Sequence, residues 1–288
     1  MSAAASTALA RGDNGHLMAV VLITGCSSGF GLAFAKEFHR RGDQVVATMR
    51  VPRELGPGID VRRLDVTDAE SIHSAVDGVL QTYGRIDALI NNAGIGVVGA
   101  LETLRDETLR EVFDTNVFGA IAVTRAVLPH MRQQRSGRIV FVSAIGALLN
   151  TGYLGAYCAS KHAIDCVSAT FDIESRPFGI RVSSVLPSAF NTGMGGNLRV
   201  ELAEGSDHED AARRYYEALR GRIEGGPREL SPVVEAVVEA VTSAEPRQRY
   251  LVAPHLAGVL GPVIDELEQL HQREVALTPS GGGNAPTR

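Results

Sequence analysis

Residues 24–31 read TGCSSGFG, and they follow the apolar run LMAVVLIT at 17–24. A run of that length, rich in Val and Ile and stopped by glycine, predicts a buried strand, and the segment after it predicts a helix entered through a tight turn. Each glycine has its own reason to be there. Gly25 suits the sharp strand-to-helix turn, Gly29 lets backbone come close to a pyrophosphate, and Gly31 lets the new helix pack closely on the sheet. With Ser27, Ser28 and Phe30 in the same loop, the free N–H groups and positive end of that helix form a phosphate cradle. The GxxxxGK[ST] loop is excluded, because its lysine is absent. Alone, the stretch also fits a glycine-rich turn with no ligand, so its surroundings must decide.

Outward from that turn, short apolar runs alternate with longer segments of helical period. QVVATM (44–49), DVRRL (60–64), IDALIN (86–91), GRIVFVS (137–143), IRVSSVL (180–186) and RYLVA (249–253) join the first run as seven strands, mostly buried on both faces. Helical patterns fall at 29–41, 68–83, 102–133 with a break near Asn116, 154–176 and 231–243. Strand then helix, repeated, implies parallel strands joined by right-handed crossovers. The expected fold is α/β: one doubly wound domain with a seven-stranded parallel sheet and helices on both faces. Ligands of such sheets bind beyond the carboxyl ends of the strands.

Composition agrees with a single domain. The 288 residues are 44% hydrophobic and 21% charged, enough for one large core. A net charge of −5 without a basic block argues against a nucleic acid partner. The three cysteines, Cys26, Cys158 and Cys166, form no CxxC pair, which fits a reducing, cytoplasmic setting. No stretch stays apolar for the roughly 20 residues that a membrane span needs, and MSAAASTALARGDNG has no apolar leader core. The histidines show no HExxH or other ligand spacing, so no metal is expected. Residues 1–15 and 273–288 are expected to be loose ends around a 16–272 domain.

The second strand ends in Arg50, with Arg53 close behind and no acid between Val45 and Arg50. An acid there would accept from the ribose 2′-OH of NAD, whereas an arginine accommodates the 2′-phosphate of NADP. NADP(H) is therefore favoured over NAD(H).

TGCSSGFG at the first turn, LDVTD after the third strand, NNAG after the fourth, TNVFG within a helix, VSA after the fifth and YCASK beyond it occur in one order. In that order they resemble a short-chain dehydrogenase/reductase of the single-domain, Rossmann-type kind, over about residues 18–192. TGCSSG, VVATMR, YCASK and PFGIRVS look most similar to estradiol 17β-dehydrogenase-like and retinol dehydrogenase-like members. The resemblance implies that Asp65 and Val66 contact adenine, and that Asn92, Ala93 and Gly94 lie along the cofactor, with Asn91 partly holding the sheet. It also implies a catalytic tetrad of Asn116, Ser143, Tyr157 and Lys161. Pro187, Ser188 and Thr192 match a PGxxxT stretch beside the nicotinamide, except that Ser188 stands where the family has glycine.

Tyr157 and Lys161 lie four apart on one helix face, so their heads can reach a common spot. Hydride transfer to a carbonyl leaves an alkoxide that needs a proton, and a phenol of ordinary pKa near 10 is a poor base at neutrality. A cation about 4 Å away at an effective dielectric of about 20 is worth roughly 4 kcal/mol, or up to about three pKa units. Lys161, helped by the positive charge of the oxidised nicotinamide, would thus bring Tyr157 toward the working range, with Ser143 donating to the substrate oxygen and Asn116 holding a water that links Lys161 to solvent. The activity implied is an NADP(H)-dependent interconversion of a secondary alcohol and a ketone, or of a primary alcohol and an aldehyde. Reduction of an imine or an activated double bond, and a non-catalytic NADP(H)-binding redox sensor, stay open on the same scaffold.

On the substrate side, residues 193–226 read as a lid: Gly195, Gly196, Gly225 and Gly226 bracket a helical stretch whose Tyr215, Leu219 and Ile223 share a face. An exposed connector fits those residues equally. Leu148, Leu149, Tyr153 and Phe190, with Ser143 and Tyr157, are the expected walls of a fairly hydrophobic pocket. FGAIAVTRAVLPHM and the 154–176 helix are apolar on more than one face, which the resemblance turns into a homodimer or homotetramer through a four-helix bundle.

Overall fold

The structure, a computed structural model, describes residues 18–192 and 198–277. Its elements in chain order are β1 (Val20–Ile23), α1 (Gly29–Arg40), β2 (Gln44–Met49), β3 (Asp60–Arg63), α2 (Ala69–Tyr83), β4 (Ala88–Asn91), β5 (Gly96–Val98), α3 (Asp106–Phe113), α4 (Ala120–Gln134), β6 (Gly137–Val142), α5 (Gly155–Ser175), β7 (Ile180–Pro187), β8 (Leu198–Val200), α6 (Glu209–Glu224), α7 (Ser231–Thr242), β9 (Arg249–Val252) and α8 (Ala257–Leu277). Seven of the strands form one sheet in the order β3-β2-β1-β4-β6-β7-β9. Every neighbouring pair in it is parallel; Val20 lies beside Gln44 on one side, and Val21 beside Ala88 on the other. The order reverses at β1 and β4, which opens a crevice at their carboxyl ends.

Alternation along each strand divides the core into two layers. Leu22, Val46, Leu89, Ile139, Phe141 and Val182 face α2, α4 and α5. Val21, Ile23, Val45, Ile90, Val140 and Val185 face α1 and α7. Both layers are fully buried, which explains why the strands read as continuous apolar runs. Helix α2 starts where the Asp68 side chain accepts from the N–H groups of Glu70 and Ser71, and stops at left-handed Gly84.

Three features depart from the sequence reading. The helical pattern over 102–133 is two helices separated by a π turn, Asp114–Gly119, so the break at Asn116 has a defined shape. A second, two-stranded parallel sheet pairs β5 with β8, Gly96 beside Leu198, and was not anticipated. Helix α8 was also not anticipated, and it runs through residue 272 to Leu277, so the expected tail boundary falls inside it. Its Gly258, Gly261 and Pro262 obscure the start, and only Leu260, Ile264 and His271 are buried. His271 bonds the buried Asp172 of α5 at 2.8 Å and docks the helix there. Residues 1–15, Gly195 and Gly196 lie outside the described residues.

Candidate active site

The turn after β1 is built by its neighbours as much as by its own glycines. Gly25 has φ of +72°, a left-handed conformation that favours glycine. A Cβ on Gly31 would fall 2.4 Å from the Gly25 carbonyl oxygen, so the start of α1 can lie against the turn only without a side chain there. Asn92 fastens the turn from below, its amide donating to the carbonyls of Thr24 (2.9 Å) and Gly25 (3.0 Å). Thr24 returns the link, its hydroxyl oxygen accepting from the N–H groups of Asn92 and Ala93 at 3.0 and 3.1 Å. Arg53 donates to the Ser27 carbonyl and ties the loop after β2 to the turn.

Above this turn lies a cavity of about 190 Å³. Its walls include Gly25, Ser27, Ser28, Gly29, Phe30, Arg50, Asp65, Val66, Asn92, Ala93, Gly94 and Thr192. These are among the residues expected along the cofactor; Gly31 supports the turn from behind, and Tyr157, Lys161, Pro187 and Ser188 line the adjoining cleft instead. Met49, Leu64, Thr67, Ile95, Glu111 and Thr115 also line it and were missed. Thr67 alone had a legible signal, two residues after Asp65. Its N–H (3.0 Å) and hydroxyl (2.8 Å) both donate to the Asp65 carboxylate. Burial works to raise the Asp65 pKa, but these two bonds, with Arg50 and Arg63 nearby, hold it below the usual carboxylate value.

A dinucleotide fits this donor set. The cradle is one that a Cβ would fill, it opens on the N-terminus of α1, and the buried Thr192 hydroxyl has no hydrogen-bond partner among the described residues. Gly29 lies against that threonine, where a Cβ would come within 3.1 Å of the Thr192 carbonyl oxygen and 3.2 Å of its Cβ.

The cavity continues into a larger cleft of about 320 Å³, and the two share Phe30, Asn92, Gly94 and Thr192 as walls. At its inner end stand Ser143, Tyr157 and Lys161, with Pro187 and Ser188 alongside. Ser143, just beyond β6, donates to the Lys161 carbonyl at 3.2 Å. The Lys161 ammonium donates to the Val142 carbonyl at 2.9 Å and lies 5.6 Å from the centre of the Tyr157 ring. Asn116 in the π turn is a clasp: it accepts from the Ile95 N–H at 2.8 Å and donates to the Ile95 carbonyl and the Ser160 hydroxyl, each at 2.9 Å. It thereby joins the loop after β4 to α5, which sets the height of Tyr157 and Lys161. A Cβ on Gly94 would come within 3.3 Å of the Asn116 amide oxygen and 3.7 Å of the Lys161 ammonium, so this small space belongs to both.

Burial sets the charge states. It pushes the Tyr157 phenol above its ordinary value, with the neighbouring Cys158 adding to the rise, and it lowers Lys161 to about 8. The expected lowering of Tyr157 by Lys161 is therefore not a property of the chain by itself. Burial penalises both the phenolate and the ammonium here, and Lys161 gives its hydrogen bond to a carbonyl.

Leu149 and Phe190 line the cleft as expected, joined by Leu219, Ile223 and Tyr215 from α6. Tyr153 does not line it. Its ring packs 5.9 Å from Tyr215 and 6.2 Å from His208, on the outer side, and it holds left-handed backbone with φ of +61°. Leu148 is likewise not a wall. Cys158 is buried and lines the cleft, its sulfur 3.9 Å from the Thr151 hydroxyl. Helix α6 is held over the mouth by the Tyr215 hydroxyl, which donates to Thr151 at 3.1 Å, and by His208, 2.9 Å from Glu102. Leu154, Leu198, Arg222, His255 and Leu256 are further walls and carried no motif. Among the described residues no cluster of His, Cys, Asp and Glu could hold a metal ion, and no helix is long and apolar enough to cross a membrane.

A doubly wound sheet, a glycine turn fitted to a dinucleotide, and a serine, tyrosine and lysine at the end of an adjoining cleft define an oxidoreductase that uses a nicotinamide cofactor. Residues 19–203 match the family described as short chain dehydrogenase, and the chain belongs to that family, whose members act on CH–OH donors with NAD(P)(H). It is 36% identical over 239 residues to a 3-ketodihydrosphingosine reductase of Bacteroides thetaiotaomicron, covering 82% of this chain and 88% of that one. With human retinol dehydrogenase 8 it shares 35% identity over 250 residues, 80% of this chain and 79% of the other. A solved short chain dehydrogenase/reductase of Burkholderia phymatum, in complex with NAD, superposes with a TM-score of 0.75 at 25% identity, covering 94% of this chain and 98% of that one.

Proposed function

We propose that the chain interconverts a secondary alcohol and a ketone, or a primary alcohol and an aldehyde, on a fairly hydrophobic substrate with NADP(H). The observation that carries this reading is the junction of the two cavities. Ser143, Tyr157 and Lys161 stand in an apolar cleft that shares four walls with the dinucleotide cavity. The dinucleotide, when bound, supplies or accepts the hydride. Tyr157 gives the proton to the substrate oxygen in reduction and removes it in oxidation, the Ser143 hydroxyl turns from the Lys161 carbonyl to donate a hydrogen bond to the same oxygen, and Lys161 stabilises charge on the phenol. The apolar walls keep water from the reacting carbon.

Arg50 supports the preference for NADP(H), since it lines the dinucleotide cavity within electrostatic reach of Asp65. Phe118 in the π turn beside α4 is 59% exposed, and supports pairing of α4 and α5 with those of a second copy. The test follows dinucleotide absorbance with NADPH and with NADH over a panel of apolar ketones, aldehydes, imines and enones. Ketone or aldehyde turnover with kcat/KM at least about tenfold higher for NADPH, falling about 10²- to 10⁴-fold in Tyr157→Phe, is expected. Turnover confined to imines or enones would refute the proposed substrate class, and parity between cofactors would refute the role of Arg50.

A further inference from the structure

The cleft is apolar along its length and polar at both ends, and only the inner end is explained by the reaction. At the outer end Arg222 projects from α6, its guanidinium 5.8 Å from the centre of the Tyr215 ring. The other α6 arginines with ion pairs answer to acids on their own helix: Arg213 to Glu209 at 2.9 Å and Arg220 to Glu224 at 3.3 Å. Among the described residues Arg222 has no acidic partner, and no aspartate or glutamate of theirs lines the cleft. Lys161, the other fixed cation on the walls, is buried at the inner end with its hydrogen bond directed to Val142. The outer end thus has a guanidinium over the face of a ring whose hydroxyl is itself held by Thr151 at 3.1 Å, and His255 is a further polar group on the cleft wall. A cation–π contact at 5.8 Å favours this placement of the guanidinium and uses none of its N–H donors.

Resting on the reading of this cleft as the site of a ketone or alcohol, we propose that the substrate carries an acidic end group, a carboxylate or similar oxyanion, on an apolar body, and that Arg222 receives it. The carbonyl meets Tyr157 and Ser143, the apolar body lies against Leu149, Leu219 and Ile223, and the anion pairs with the guanidinium in a geometry suited to two parallel hydrogen bonds. An ammonium in the same place meets a like charge with no acid to offset it. The site therefore selects against long-chain amino ketones as well as for keto acids. Arg222 is exposed, so the selectivity is moderate and is screened by salt.

The test uses a chain-length series of methyl ketones ended by a carboxylate, by its methyl ester or by an amine, with kcat/KM measured for each. At the best-fitting length the acid is expected to exceed the ester by about three- to fivefold, and the amine to be poorest. Arg222→Gln brings the acid-to-ester ratio to about one, Arg222→Lys keeps only part of it because an ammonium holds the charge but not the two-pronged hydrogen bonding, and Arg222→Glu makes the amine better than the acid. The measured quantity is a ratio between substrates on one protein, so a general loss of lid stability does not move it. An ester turned over as well as the acid at every length, or an acid preference that survives Arg222→Gln, overturns the proposal and leaves the ketone reading standing. No turnover of any ketone or aldehyde refutes both.

Discussion

Around the dinucleotide cavity the decisive positions are fixed by backbone. Gly31 has no room for a methyl group, Gly25 has φ of +72°, and Asn92 and Thr24 lock the turn through main-chain atoms. Around the substrate cleft they are side chains from the loop after β6, from the end of β7, from α6 and from the turn before α8, segments that lie far apart in sequence. The first region recognises a ligand through the shape of a turn, and few sequences make that turn. The second presents an apolar surface that many residue combinations could form. Substitutions should therefore cost most on the first side and least on the second.

The largest contrast is expected at Gly31. In Gly31→Ala the new Cβ would lie 2.4 Å from the Gly25 oxygen and 2.6 Å from the Asn92 amide nitrogen. The carbonyl cannot swing aside as a flexible side chain would, so α1 must move away from β1. We expect a loss of about 2–3 kcal/mol in stability and of about 100-fold in NADPH affinity, read by thermal melting and titration calorimetry. Binding within a few-fold of wild type would show that the turn yields easily and would remove the steric basis of the comparison.

Lys161 is where the two regions meet, and its expected effects have opposite signs. Burial lowers its pKa from 10.5 to about 8, so the folded chain holds a proton there less tightly than the unfolded chain does. The penalty is fully present below about pH 8 and is relieved as pH rises toward 10.5, so the wild type gains stability across that window. Removing the ammonium in Lys161→Met relieves up to about 3 kcal/mol below that window. It also leaves the Val142 carbonyl without its donor, at a cost of about 1–2 kcal/mol. The cofactor-free variant should thus be more stable by about 1–2 kcal/mol at pH 7, a rise of a few degrees in Tm, and should lose the rising limb above pH 8. Its activity should fall at least about 100-fold. A lower Tm than wild type at pH 7 would mean that Lys161 holds the site together rather than being strained by it.

This division also explains what could be read from the sequence. The seven-stranded sheet, the glycine turn and the Tyr157–Lys161 pair were legible because each rests on a fixed period or spacing that backbone geometry imposes. Arg222, His255 and Leu256 were not, because nothing in their local sequence records that α6 and the turn before α8 meet over one cleft. Tyr153 was misplaced for a related reason. Its position in the chain is beside the site, but its left-handed backbone turns the ring outward onto Tyr215 and His208. The three residues of β8 pair with β5 across about a hundred positions, too short a run and too distant a partner to leave a pattern.

The smallest expected effect comes from the same chemical change made on the other side of the molecule. Gly221 lies within α6, exposed, and a Cβ there would meet nothing within 4 Å. Its φ is in the ordinary range, so alanine is not strained, and replacing a glycine inside a helix removes unfolded-state entropy and raises helix propensity. Gly221→Ala should stabilise the protein by about 0.5–1 kcal/mol, with kcat/KM on a neutral ketone within about twofold of wild type. Gly31→Ala and Gly221→Ala each add a methyl group to a helical glycine, yet their effects on stability should differ in sign. If Gly221→Ala instead raised KM several-fold while Tm increased, α6 would have to flex at Gly221 to admit substrate. The tolerance of the substrate side would then end at the helix that covers it.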